Sequence, residues 1–401
     1  MTHSIHVIVV GGGYAGVMAA NRLTQRDDVA VTLIARSPAF VERLRLHQFG
    51  AGSDETVVDY RVVLAPSVRL VVDTVTHIDA PGRSLAVGSG GAVDYDHLVY
   101  AVGSTSAASP VPGAAEHAHP LATLEEASRL RAALDARATT APVVVVGGGS
   151  TGIETAAELG EAGRHVTLVC GTELGPYLHP RARRSVKHRL ARLGVAVREG
   201  SNVAAVSPES LGLSNGSQIP SMVTVWTAGF GVPDLATGSG LSTDGSGRLL
   251  TDETLTSVDD ARIVAAGDAA APSDLPFRMS AQTALPLGAH AADTVLSRIA
   301  GVTPACIDVG FFGQCISLGR RDAVLQVAHR DDTARGLYLA GRLTAMIKEK
   351  AVQGSIKFLT EEARRPGSFT WRFRDPKRQE VLQTAREAVS AGERRMRRGG
   401  P

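Results

Sequence analysis

Two stretches of this chain carry the same turn. VIVVGGGYAGVMAA (7–20) and VVVVGGGSTGIETAAEL (143–159) each lead β-branched residues through three glycines and a fourth into helix formers. Each fits G-x-G-x-x-G, with Gly11, Gly13 and Gly16 in the first copy and Gly147, Gly149 and Gly152 in the second. The first glycine permits a tight strand-to-helix turn, the second lets a diphosphate approach the backbone, and the third lets helix and strand pack closely. The helix start then offers unpaired N–H groups and a partial positive charge. Two such turns imply two dinucleotides, or a duplication in which one site is dead.

The surrounding text supports a parallel sheet with crossover helices. Strand-like HVIVV, helix-like AGVMAANRL and strand-like VAVTLIA follow one another, and VVVV, GIETAAELGEAG and HVTLVC repeat the order. At 401 residues the chain is too long for one ordinary core. A stretch rich in proline and small residues, SPVPGAAEHAHP (109–120), marks a boundary. After a helical pattern at 280–300, the short runs FGQCISL, DAVLQVA and GLYLAG announce a smaller third domain. The expected fold is α/β, with two Rossmann-like dinucleotide-binding domains and a small C-terminal α+β domain.

A net charge of +2 gives no reason to expect a nucleic-acid partner. Three cysteines (Cys170, Cys306, Cys315) without metal-type spacing suit a reducing cytoplasm. The opening MTHSIHVIVV lacks the pattern of a signal peptide, and no stretch reaches the ~18 apolar residues of a membrane span. The expectation is a cytoplasmic protein, at most peripheral on the inner face of the cell membrane. From Arg364 to Arg398 eleven Lys or Arg face four acids, and Val381, Leu382, Ala385, Ala388 and Val389 share one helical face. Such a tail either holds an acidic membrane surface or is simply solvated.

A rival reading exists. Gly148, Ser150 and Gly152 satisfy G-x-S-x-G, the nucleophile elbow of α/β hydrolases, with Asp268 and His290 downstream in the required order. It leaves the first copy unexplained, because Tyr14 stands where the serine would be.

YAVGS (100–104), WTAGF (226–230) and the segment ending in Gly267–Asp268 complete an ordered series. With the two turns, this series resembles the two-dinucleotide-binding-domain flavoproteins, the pyridine nucleotide–disulfide oxidoreductase superfamily, over roughly residues 5–300. The resemblance implies FAD on the first turn, with Asp268 on the flavin's ribityl chain and Gly103 and Gly229 where the chain crosses between domains. It places NAD(P)H on the second, inserted domain. The domains would be 1–113 with 231–300 for FAD, 114–230 for NAD(P)H, and 301–401 at the C-terminus. SPAFVERLRLHQFGAG, where relatives with a redox disulfide carry cysteine, has none, which excludes thiol–disulfide chemistry. Cys306 and Cys315 are expected as buried strand residues.

AQTALPLG (281–288) is similar to the helix that type II NADH:quinone dehydrogenases place against the flavin, but lacks their second glutamine, so Gln282 stands alone. The acid expected about 20 residues past each turn is also missing. Ala35–Arg36 and Cys170–Gly171 stand there, and Arg181, Arg183 and Arg184 could attract a 2′-phosphate or form a solvated face. Glu154 is expected at the nicotinamide, Arg45 and His47 on the segment nearing the flavin, and Lys348 on the exit side. The resemblance implies hydride transfer from NAD(P)H to FAD and on to a quinone or similar acceptor, and it allows a homodimer. A reductase of a redox protein, a tailoring oxidoreductase acting on a small metabolite, and a non-enzymatic flavin-binding sensor stay open.

Overall fold

The computed structural model describes residues 4–384 and 387. Two five-stranded parallel sheets dominate it. The first runs, in spatial order, Ile263–Ala265, His97–Tyr100, Ile5–Val10, Val29–Ala35 and Arg69–Val72. The second runs Ala118–Pro120, Val223–Trp226, Val143–Val146, Val166–Val169 and Ala196–Arg198. In both, the strand before a glycine turn is central, and all four residues of Val143–Val146 are buried. An unbroken β-branched run is what a strand covered on both faces requires. This is the mixed α/β architecture the doubled turn calls for.

Each sheet is accompanied by a three-stranded antiparallel meander: Val75–Asp79, Ser84–Val87 and Ala92–Asp94 in one case, Val203–Val206, Ser210–Leu213 and Gln218–Pro220 in the other. Thr105–Ser106 pairs antiparallel with Phe230–Gly231, so the chain leaves and re-enters the first unit side by side.

A third antiparallel sheet, Gly313–Ser317, Ala323–Ala328 and Ala334–Ala340, leads into helix Arg342–Arg364. That helix packs back on helix Tyr14–Leu23. Buried Asn21 donates to the Val63 and Leu359 carbonyls (2.8 and 3.1 Å) and accepts from Ala65 N–H (2.8 Å). Arg22 pairs with Asp293 and with the fully buried Glu362. Helix Ala281–Ile299 lies so close to Tyr14–Leu23 that a Cβ on Gly288 would sit 2.3 Å from the Ala15 carbonyl oxygen.

The basic tail is folded as far as it is described. Arg378 is buried in a bidentate pair with Glu253 (2.8 and 3.1 Å) and stacks over Phe277. Leu382 is buried while Val381 is exposed, so the apolar face expected there divides. Ala385, Ala388 and Val389 lie outside the described residues.

Candidate active site

The two glycine turns are built alike. A Cβ on Gly16 would lie 1.8 Å from the Gly11 oxygen, and one on Gly152 would lie 1.9 Å from the Gly147 oxygen. Gly11 and Gly147 have φ of 110° and 124°, which only glycine adopts without strain. At the middle glycines, Gly13 and Gly149, a Cβ would meet nothing within 4 Å. Backbone packing therefore explains the outer glycines and leaves the middle ones to a ligand.

The helix starts agree. Helices Tyr14–Leu23 and Ser150–Glu161 have neither a side-chain cap nor a first-turn acid. Helix Leu124–Asp135, by contrast, carries a full Thr123–Glu126 capping box. The first-turn N–H groups at both glycine turns thus remain for an anion, and a diphosphate fits that donor set.

Asp268, in the turn Gly267–Ala269, reaches the same region of the first unit. Its Oδ2 accepts from Ser104 Oγ (2.7 Å), while its Oδ1 is buried with no partner. A buried carboxylate oxygen left unbonded is costly, and a polyol chain would satisfy it. Gly103 precedes Ser104, whose carbonyl accepts from Arg43 Nη1 (3.0 Å). Arg43 was not singled out from sequence; nothing local separates it from Arg45 two positions on. Arg36 is exposed just after strand Val29–Ala35. Gln282 stands in the first turn of helix Ala281–Ile299. Its amide, oriented so that both ends are bonded, donates to the Gly313 carbonyl (2.9 Å) and accepts from Phe312 N–H (3.0 Å).

Glu154, two residues past Gly152, is buried. Its Oε1 accepts from Ser317 N–H (2.9 Å) and from Lys348 Nζ, and Lys348 also donates to the Cys315 carbonyl (3.1 Å). His47 Nδ1 lies 4.0 Å from Glu154 Oε2. The second glycine helix, helix Arg342–Arg364 and segment 42–54 therefore meet at one buried cluster.

Beside it opens a cavity of about 230 Å³, lined among others by Arg45, His47, Arg320 and Lys348. Arg45 is taken up by Glu42, Gln48, Asp54 and Glu349. Burial pushes Lys348 down to about 7. Burial, and then the cations Lys348, Arg320 and Arg45, push His47 from 6.5 to about 3.

His47 consequently stays neutral at physiological pH, and the sign of its contribution follows. Below the unfolded value of 6.5 the unfolded chain binds a proton that the folded one refuses. Stability conferred by neutral His47 is full above pH 6.5 and is lost as pH falls toward 3. His47→Gln should flatten that acid limb in denaturant titrations at a series of pH values. An unchanged limb would show that other groups produce it.

Comparison with known proteins matches residues 5–293 to the profile described as pyridine nucleotide-disulphide oxidoreductase. The chain belongs to the pyridine nucleotide-disulphide oxidoreductase family. An NADH dehydrogenase-like protein of Mycobacterium tuberculosis is 31% identical over 347 residues, covering 79% of this chain and 86% of that protein. A type II NADH:quinone oxidoreductase of Staphylococcus epidermidis is 27% identical, covering 86% and 93%. Among solved structures, NDH2 of Plasmodium falciparum in complex with NADH superposes with a TM-score of 0.75 at 14% identity, covering 91% and 99%. The sulfide:quinone oxidoreductase of Aquifex aeolicus gives 0.73 at 18%, covering 89% and 92%. At those identities the structures bear on fold alone. Membership makes the chain an oxidoreductase.

The hydrolase alternative falls with this family fold. His290 bonds the Ala305 carbonyl (2.9 Å) and Asp268 bonds Ser104, so no Ser–His–Asp chain forms among the described residues. Within the family the redox-disulfide branch does not apply, since no cysteine precedes Cys170. Cys315 is a half-buried strand residue whose thiol burial pushes up to about 12. Cys306 departs from expectation. It is exposed in the link between helix Ala281–Ile299 and the C-terminal sheet, where no strand forms around it. Of the three arginines after the second turn, Arg181 and Arg184 are exposed on helix Pro180–Arg192, and Arg183 is bound to Glu173 and to the Gly175 and Leu178 carbonyls.

Proposed function

We propose that the chain is an FAD-dependent NAD(P)H dehydrogenase that delivers electrons to a quinone or similar small acceptor. One observation carries the reading: two uncapped glycine turns of the same build, the first accompanied by Asp268 with a buried, unbonded Oδ1. Bound FAD supplies the two-electron carrier between nicotinamide and acceptor. Gly11, Gly13, Gly16, Arg36, Gly103, Gly267 and Asp268 hold it in this reading, whereas Arg45, expected with them, is held by Glu42, Asp54 and Glu349 beside the Glu154–Lys348 pair. Gly147, Gly149, Gly152 and Gly229 hold the nicotinamide dinucleotide, with Glu154 and Gln282 at the two ends of the reacting site. The corresponding division is 1–113 with 231–300, 114–230, and 301–401.

The acceptor half of the reading draws on the quinone-reducing relatives and on Phe312. Gripped through its backbone by Gln282, Phe312 lines a cavity of about 300 Å³ with Arg330, Arg335 and Phe373, a setting that suits a flat conjugated ring. Peripheral contact of the basic tail with an acidic membrane, and a homodimer, are its looser parts. No described helix is long and apolar enough to cross a membrane.

The test is an anaerobic titration with NADH, then NADPH, then a soluble quinone, following flavin absorbance. Bleaching by a nucleotide and return of colour with quinone is expected. Bleaching without return discards the quinone, and bound FAD that neither nucleotide bleaches discards hydride transfer.

A further inference from the structure

The second glycine turn lacks the acid that normally holds the adenosine ribose, and the structure shows what stands around the gap. Cys170 follows strand Val166–Val169 at the position of that acid. Its side chain is fully buried, and a Cβ on Gly148 would lie 3.0 Å from its Sγ, so the thiol packs beneath the turn. Burial keeps that thiol protonated, with Glu199 as the next contributor.

The neighbouring strand, Ala196–Arg198, delivers a carboxylate to the same place. Cys170 N–H donates to the Arg198 carbonyl (2.7 Å) and Gly200 N–H to the Thr172 carbonyl (3.1 Å). A Cβ on Gly171 would lie 2.5 Å from Asn202 Oδ1. Segment 199–202 therefore rests directly on segment 170–174. Glu199 Oε1 accepts from Leu174 N–H (2.9 Å), and Oε2 pairs with half-exposed Lys187. These bonds hold the group ionised and leave lone pairs on both oxygens.

Two of the cations nearby are committed, while Arg198, next to Glu199, is exposed. Lys187 faces Glu199, and Arg183 faces Glu173 and two carbonyls. Glu173 is the other acid of the loop, drawn toward helix Pro180–Arg192 by Arg183.

We propose that Glu199, carried by the neighbouring strand, supplies the carboxylate that Cys170 does not, bonding the ribose 2′-hydroxyl of the adenosine half and excluding a 2′-phosphate, so that the donor is NADH. A ribose hydroxyl donates to a carboxylate; a phosphate dianion has no proton to give and repels it. The inference rests on reading the second turn as the nicotinamide dinucleotide site.

The test uses the flavin-loaded protein and redox-inert probes, ADP-ribose and 2′-phospho-ADP-ribose, titrated calorimetrically. Native protein should bind ADP-ribose at least ~10-fold tighter, and Glu199→Gln should bring the two within about threefold. The glutamine keeps an acceptor for Leu174 N–H, so the loop retains its shape. Glu173→Gln should leave the native preference intact. Equal binding by native protein, or an E199Q preference matching the native one, overturns the inference while the nucleotide site stands. Binding of neither probe removes the nucleotide reading itself, and this inference with it. Flavin bleaching by NADH and NADPH in the same variants gives the kinetic counterpart.

Discussion

Gly13→Val should give a folded protein that purifies without flavin, and Gly149→Val one that keeps its flavin but is no longer bleached by NADH. At both positions the backbone is extended, with φ −87° and ψ −168° at Gly13 and φ −77° and ψ 178° at Gly149, which valine accepts. Neither Cβ would meet an atom within 4 Å. The cost to folding is that of a poorer N-cap, at most ~1 kcal/mol, because glycine offers little capping to lose. What valine removes is the approach of a diphosphate to uncapped N–H groups, and flavin occupancy should fall at least ~10-fold on losing one or two charge-assisted bonds. The fair stability comparison is with flavin-free native protein, since loss of a bound ligand lowers apparent stability by itself. Gly16→Val and Gly152→Val are the contrast. Their side chains would run into the carbonyl oxygens of Gly11 and Gly147, and they should fail to fold. If Gly13→Val retains flavin, the first turn is not its diphosphate site, and the functional assignment falls with it.

That contrast also explains which parts of the molecule were legible in the sequence. The turns are local: strand, glycines and helix follow within nineteen residues in each copy, and each glycine has a distinct steric task. The two parallel sheets follow from them through crossover handedness and the buried valine runs. Asp268 was singled out because the Gly–Asp pair follows a strand in the right order, and the structure adds that its Oδ1 is buried without a partner. Arg43 was not, because ERLRLH presents two arginines with equal claim, and only the tertiary fold sends one to the Ser104 carbonyl and the other to Glu349. Helix Arg342–Arg364 was missed for a related reason. Leu343, Met346 and Ile347 stay exposed while Glu362 is buried, so its apolar pattern does not mark the packed face. Cys306 misled because apolar neighbours suggested a strand, whereas the segment is a link. The stand-in carboxylate Glu199 could not be found from spacing at all, since spacing along one strand says nothing about what its neighbour delivers.

Glu154 and Lys348, 194 positions apart, set up the second large effect. Their side chains are 11% and 14% exposed and share one hydrogen bond, which offsets only part of the desolvation of each. Removing one partner of a buried pair costs about 3–5 kcal/mol, because the survivor stays charged and unpaired or must change protonation state. Lys348→Met should therefore cost this much, and Glu154→Gln somewhat less. Lys348 already sits near 7 through burial and can shed its proton once the carboxylate is gone. The double variant should be more stable than the sum of the single losses predicts, by ~1–3 kcal/mol in a double-mutant cycle. The pH dependence has a definite sign. Lys348 holds its proton less firmly folded than unfolded, so the penalty is full below about pH 7 and fades as pH rises toward 10.5. Native protein should gain stability over that window, and Lys348→Met should not. Strict additivity of the single losses would mean that the two side chains do not depend on one another. Glu154 would then lose its place as the joint between the second glycine helix and helix Arg342–Arg364.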